Sequence, residues 1–418
     1  MHGFAMTVLA LIALRWAAQI VLEYLNLRTL EDHRDRIPPE LDGVMDPETH
    51  RRSVDYTAAK SRLGVWEFST AMLLLVGVLF SGFLPWLWDI WTGFAGTGAW
   101  AGAGGLFLVA TLLSIAAWPW EWWAQFRLEE RFGFNTTTPK TWWLDRLKSF
   151  LLSAALGLPL LALLLQWVHW AGPLWWWWSW LTLVAFQTIL LVVAPMLILP
   201  LFNRFNPLPE GPLKDRLWAL AARTGFRARA IEVMDGSRRS RHANAFFTGL
   251  GRFRKIVLYD TLLNQLGEPE VEAVLAHEIG HARRRHLVKM AAVMAPLTLA
   301  GFALVAWLAH QPWFFAAFGF NTPSLAVAFL LFALLADTVT FWILPLTRHL
   351  TRRFEFEADA FAAKAVGTAQ PLIEALRVLH RKNLSNLTPH PWYSTFHYSH
   401  PTLIERERAL RAIPPGCG

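Results

Sequence analysis

Seven stretches of this chain, at 4–25, 68–90, 99–120, 149–171, 175–201, 287–309 and 325–346, are apolar over a length that matches a lipid bilayer. No other feature limits the fold as tightly. A hydrocarbon core of about 30 Å takes about 20 helical residues to cross. Of the 418 residues, 54% are hydrophobic and 24 are tryptophan, which leaves a soluble enzyme of this size too little polar surface. The expected fold class is therefore mainly α, a polytopic bundle of seven transmembrane helices. A net charge of +8 could suggest a nucleic-acid partner. In so apolar a chain it reads instead as positive charge at the cytoplasmic face of a membrane, and no nucleic-acid partner is expected.

The links between the apolar stretches alternate in charge. Segment 26–63 carries Arg28, Arg34, Arg36, Arg51, Arg52, Lys60 and Arg62, and segment 121–148 carries Arg127, Arg131, Lys140, Arg146 and Lys148. The links 91–98, 172–174 and 310–324 have no Lys or Arg, whereas 202–286 and the tail from 347 are rich in Arg. The positive-inside rule then puts the N-terminus outside and the basic segments inside. Four regions follow: five spans in 1–201, a cytoplasmic unit in 202–286, spans six and seven in 287–346, and a cytoplasmic tail in 347–418. Within 202–286, Leu213 to Arg223 has helical periodicity, and extended runs follow near 228–234, 243–248 and 255–259. That makes the unit a small α+β domain. Trp86, Trp88, Trp91, Trp118, Trp120, Trp122, Trp123 and Trp175 to Trp178 sit near span ends, as an interfacial aromatic belt would.

Arg15, Glu23, Glu67, His169 and Asp337 fall in or near spans, where ionisable groups face a bundle interior or water, and they suggest a polar cavity between helices. Arg15 interrupts the first apolar run, and no basic n-region precedes it, so an uncleaved first span is expected rather than a secretory signal. The single cysteine, Cys417, excludes an intrachain disulfide framework and a Cys-ligated zinc site, and it fits a reducing compartment. Its place second from the end leaves no four-residue prenylation box.

The chemistry centres on His277-Glu278-Ile279-Gly280-His281, within 269–286. Positions i and i+4 lie about 40° apart around a helix, so both imidazoles face one side and can reach one tetrahedral Zn²⁺ at about 2.0–2.1 Å. Glu278 is placed to work on the attacking water rather than on the metal. Pro269 suits a first helical turn, Glu270 and Glu272 complement its positive dipole, and Arg283 to Arg285 suit its far end. A catalytic zinc needs a third protein ligand. Ten residues beyond His277 stands Leu287 rather than a histidine, and His286 has the wrong spacing. The acidic cluster Glu355, Glu357 and Asp359 is the better source: Glu355 and Asp359 share a helix face, so one can ligate while the other holds a ligand histidine. The residues themselves leave the choice among the three open.

The order HEIGH, FEFEADAF, HYSHPTLIERERAL closely resembles the integral-membrane CAAX prenyl protease 1 family of zinc metallopeptidases. Residues 129–148 (EERFGFNTTTPKTWWLDRLK) and 240–263 (SRHANAFFTGLGRFRKIVLYDTLL) resemble it too, so the likeness covers nearly the whole chain. The shorter heat-shock protease HtpX shares the zinc motifs but typically has fewer spans. The resemblance implies a gluzincin-like site with one Zn²⁺ held by His277, His281 and Glu355. It implies Glu278 as general base, Asp359 as the partner of a ligand histidine, and His400 and Arg406 as stabilisers of the oxyanion. Asn244, Ala245 and Phe246, with Phe247 beside them, look like the edge strand that a peptide substrate joins, offering its backbone rather than particular side chains.

The expected activity is zinc-dependent endopeptidase cleavage of peptides or proteins at a bilayer, with lipidated or membrane-embedded substrates among the candidates. An Arg-, Ala- and Trp-heavy composition without a retention signal suggests a bacterial inner membrane, with membrane-protein quality control as the alternative role. A site-2 protease, suggested by Leu41-Asp42-Gly43, fits poorly, because those residues lie in a hydrophilic loop and the zinc helix is flanked by charge. A transporter or scaffold with a relic metal site is the non-enzyme alternative.

Overall fold

A computed structural model of the chain describes residues 3–248 and 254–414. Cys417 and positions 249–253 of the 240–263 motif lie outside the described residues. The fold is mainly helical. Among the described residues, six helices are long and apolar enough to cross a membrane: Gly3–Asp32, Pro47–Phe80, Ala99–Phe132, Pro139–Phe202, His286–Leu308 and Leu325–Val366.

Two boundaries differ from expectation for backbone reasons. The stretch 68–90 is cut where Gly82 takes the left-handed conformation (φ 81°), so one helix ends at Phe80 and a short one, Phe83–Ala95, starts anew. The expected fourth and fifth spans count as one continuous 64-residue element, Pro139–Phe202. Gly172 (φ 53°) and a 3₁₀ turn at Gly172–Leu174 break it into Pro139–Ala171 and Trp175–Val193. The halves fold back on each other: Trp167 Nε1 donates to Thr182 Oγ1 at 2.9 Å, and the Trp167 and Trp178 rings stack at 5.3 Å. Beyond Val193 the helix continues through a π turn, Ala194–Ile198.

The basic segment 26–63 is largely helix rather than loop. Pro47 opens its second helix, and the Asp46 carboxylate caps it by accepting from the backbone N–H of Glu48 (3.1 Å) and Thr49 (2.9 Å).

Residues Phe205–Pro207 (β1), Ala230–Met234 (β2), Ala245–Thr248 (β3) and Lys255–Tyr259 (β4) form a four-stranded sheet in the order β1-β2-β4-β3. β2 and β4 are parallel and the outer pairs antiparallel, with Ala245 opposite Leu258 and Phe247 opposite Ile256. β1 lies in what reads from sequence as a proline-marked linker. The helices Pro212–Arg223, Glu268–Arg283, Leu344–Val366 and Gln370–Lys382 pack around this sheet on a core that includes Leu217, Leu220, Ile256, Leu258, Leu275 and Ala375. A separate core of Leu79, Leu84, Leu165, Phe314, Phe315 and Leu331 fills the apolar bundle.

Glu268–Arg283 and Leu344–Val366 meet at Gly280, where an added Cβ would stand 3.0 Å from Ala358 Cα, 3.1 Å from Ala358 O and 3.2 Å from Phe361 Cβ. Any larger residue would make these neighbours give by a few tenths of an ångström, so glycine favours this approach. It sets the distance across which side chains of the two helices converge.

Candidate metal centre

The imidazole pair comes from Glu268–Arg283 and the facing carboxylate from Leu344–Val366, one turn above the Gly280 contact. His277 Nε2 and His281 Nε2 are 3.1 Å apart. Glu355 Oε2 lies 3.4 Å from His277 Nε2, and Glu355 Oε1 lies 3.3 Å from His281 Nε2. Bonds of about 2.0–2.1 Å at tetrahedral angles separate zinc ligand atoms by about 3.3–3.4 Å, so the three side chains already stand at a zinc ion's spacing. Glu355 is buried, and its Oε2 has no hydrogen-bond partner, an expensive arrangement for a carboxylate unless a cation satisfies it. Two neutral imidazoles and one carboxylate, with no thiolate, are also the donor set of a catalytic rather than a structural zinc. The residues fit the ion.

Behind the trio lies a buried charged pair. Asp359 Oδ1 is 2.8 Å from His277 Nδ1, and Arg406 grips the same carboxylate with Nε on Oδ2 (2.8 Å) and Nη2 on Oδ1 (2.6 Å). Asp359 and Arg406 are both buried, so each is the other's counter-charge. Arg406 sits in the first turn of Leu403–Arg411, which starts with a reciprocal Thr402/Glu405 capping box. Its remaining nitrogen, Nη1, is 3.8 Å from Glu355 Oε2. His400 Nε2 is 3.5 Å from Glu355 Oε1, and its side chain is 62% exposed, so it borders the cavity where a substrate would lie. Glu278 is half-buried on the same cavity, and burial raises its carboxyl pKa against the pull of the His277 and His281 imidazoles.

The cavity has a volume of about 610 Å³. It is lined by His277, His281, Glu355, Glu278 and His400, and by an apolar wall of Leu191 at the end of Trp175–Val193, Ala194 and Pro195 in the π turn that follows, and Leu199 just beyond it. Sequence reading did not assign that wall to the site. Its one signal was Ala194-Pro195 within an apolar run, where a proline forces the helix to rearrange. β3 is an edge strand: its described partner is β4 on one side alone. Ala245 is buried, Asn244 just before the strand is exposed, Phe246 is half-buried, and Phe247 lines the cavity. Glu272 does more than complement a helix dipole. It is buried and ion-paired with Arg216 and Arg223, which ties the metal helix to Pro212–Arg223.

A helical membrane bundle joined to a largely buried His-His-Glu centre, with a glutamate beside the first histidine, defines an integral-membrane zinc metallopeptidase. Residues 26–204 match the family described as CAAX prenyl protease N-terminal, five membrane helices, and residues 207–414 match peptidase family M48. The chain is 34% identical to the CAAX prenyl protease 1 homolog of Oryza sativa over 93% of each protein. It is 34% identical to CAAX prenyl protease 1 of Saccharomyces cerevisiae, over 90% of this chain and 88% of that one. The crystal structure of S. mikatae Ste24p superposes with a TM-score of 0.90 at 32% identity, covering 98% of this chain and 99% of that one. The chain belongs to the CAAX prenyl protease 1 family of M48 zinc peptidases and is an integral-membrane zinc endopeptidase acting on peptides or proteins.

Proposed function

We propose that His277, His281 and Glu355 hold the catalytic zinc, that Glu278 is the general base, and that the substrate carries a lipid on its C-terminal region. The ligand spacing of 3.1–3.4 Å around an unpartnered Glu355 oxygen carries the site assignment. Zinc held there supplies a Lewis acid for the scissile carbonyl and acidity for the attacking water. Glu278 takes a proton from that water and passes it to the leaving amine, a role that a carboxyl of raised pKa suits. His400, exposed at the rim, donates to the negative oxygen that develops in the transition state. Arg406, with two nitrogens committed to Asp359, orients that carboxylate and through it His277, leaving Nη1 to face the oxyanion. The free edge of β3, with Asn244, Ala245 and Phe246, takes the substrate backbone as an added strand.

The lipid assignment rests on a second cavity. A space of about 620 Å³, lined by apolar residues such as Leu164, Leu297, Phe302 and Phe329, lies between Pro139–Ala171, Trp175–Val193, His286–Leu308 and Leu325–Thr340. Its lining residues Met294 and Thr347 stand one helical turn from Met290 and Thr351 of the metal cavity. A turn is about 5.4 Å, so an alkyl chain in one cavity reaches a peptide in the other. The yeast and plant relatives are named as prenyl proteases. A prenylated peptide and its unprenylated twin, offered to the purified enzyme, test the reading: the prenylated one should be cleaved at higher kcat/KM. Equal rates would sink it.

We further propose that Pro139–Phe202 crosses the bilayer twice, making seven spans. In this arrangement 1–201 and 287–346 form the membrane body, and 202–286 and 347–418 form a cytoplasmic zinc domain. The charge alternation supports this orientation. A bacterial inner membrane finds no support in the relatives named above, which are plant and yeast proteins, and is not carried forward.

A further inference from the structure

We infer that His286, through Glu357, is a positioning residue for the zinc site, fixing the ring of His281; this rests on the reading of His281 as a zinc ligand. His286 Nδ1 lies 2.9 Å from His281 Nδ1, on the side of that ring away from Glu355. A His281 that gives Nε2 to a metal carries its proton on Nδ1, so Nδ1–H donates to His286 Nδ1. That leaves the His286 proton on Nε2, which donates to Glu357 Oε2 at 3.2 Å. Glu357 is held in turn by Lys289 Nζ (3.2 Å) and Arg353 Nε (3.5 Å). Both ligand imidazoles are thereby secured at their second nitrogen, His277 by Asp359 directly and His281 through a second histidine.

The backbone is bent to make this contact. Residues five apart on a continuous α-helix lie about 140° apart around the axis, so His286 would face away from His281. Arg285 takes the left-handed conformation instead (φ 56°, ψ 38°), ending Glu268–Arg283 and starting His286–Leu308 at a new angle. Among the described residues one other non-glycine, Leu384, has positive φ. An arginine held there is a strained backbone position, and such strain persists where the surroundings over-determine it. The surroundings do so here: His286 is 4% exposed and stacks on Phe354 at 4.3 Å with the rings 6° from parallel.

A purely packing role predicts that another flat, apolar ring serves as well, so His286→Phe, which keeps the stack and removes the acceptor, separates the two. Zinc affinity is read by competition with a chelator on the full-length enzyme in detergent, with helicity and thermal unfolding in excess zinc as the check on folding. His286→Phe should bind zinc about 10–100-fold more weakly, and His286→Gln, whose amide oxygen can accept from His281, should recover part of that loss. Glu357→Leu, at a site partly open to solvent, should weaken binding by less and keeps the test alive if the phenylalanine variant does not fold. The cobalt-substituted His286→Phe enzyme should also show a shifted visible spectrum. His286→Phe or Glu357→Leu enzyme that holds zinc as tightly as wild type overturns the relay. A His281→Ala enzyme with wild-type zinc affinity overturns the ligand assignment itself, a different and separable failure.

Discussion

Glu278 and Glu355 are chemically the same side chain, and the site gives them opposite tests. Glu278→Gln keeps the shape and removes the base, so turnover should fall by about 10²–10⁴-fold while one zinc per chain remains, as read by peptide cleavage and metal analysis of the same sample. Glu355→Gln replaces an anionic ligand by a neutral one, so dialysis should strip its zinc first and activity should follow the metal. The imidazole pair and Glu278 were legible in the sequence because an i, i+4 spacing needs no tertiary information. The neighbouring acids were not. Glu355, Glu357 and Asp359 sit within five positions, and residue chemistry left the choice among them open; resemblance alone singled out Glu355. In the fold, Glu355 faces both imidazoles, Asp359 takes His277 Nδ1, and Glu357 turns to His286. What distributes them is the angle at Arg285 and the register of two helices, neither of which a linear pattern encodes.

Gly280 carries that register. In an exposed helix interior, Gly→Ala gains about 1 kcal/mol from propensity. Here the new methyl would meet backbone atoms of Ala358 at 3.0 and 3.1 Å, which cannot rotate away, and overpacking of this kind costs about 1–3 kcal/mol. The overpacking term wins or breaks even. Gly280→Ala should therefore leave the melting temperature equal or lower while weakening zinc binding, because the strain is relieved by moving the Glu355 helix off the histidine helix. A variant with raised melting temperature and unchanged zinc affinity would show that the contact does not set the ligand spacing. Element positions within the sheet region were largely readable from period and from proline and glycine punctuation: the helix expected over 213–223 appears as Pro212–Arg223, and the extended runs near 228–234, 243–248 and 255–259 appear as β2, β3 and β4. Strand β1 was missed, since Phe205-Asn206-Pro207 is short and proline-bearing and pairs with a strand that begins more than twenty residues later.

At the scale of the molecule, the two bilayer crossings proposed for Pro139–Phe202 make a direct prediction. Trp175–Val193 contains no charged residue and is apolar or aromatic at all but Ser179, Thr182, Gln187 and Thr188, so a single crossing would leave a largely apolar helix without a bilayer or a full protein partner. The break at Gly172 and the packing of Trp167 against Trp178 make a hairpin with its tip at Gly172–Leu174. Two crossings put Pro173 on the face away from Arg227, and both positions are exposed. In a Cys417→Ser background, Pro173→Cys and Arg227→Cys can be probed separately with a membrane-impermeant maleimide on sealed vesicles of known orientation. The two cysteines should label from opposite faces, Arg227→Cys from the cytoplasmic one. Labelling from the same face would reduce the hairpin to a single crossing. Opposite faces with Arg227→Cys outside would keep seven spans but invert the molecule, moving the zinc centre and its substrates to the other side of the membrane.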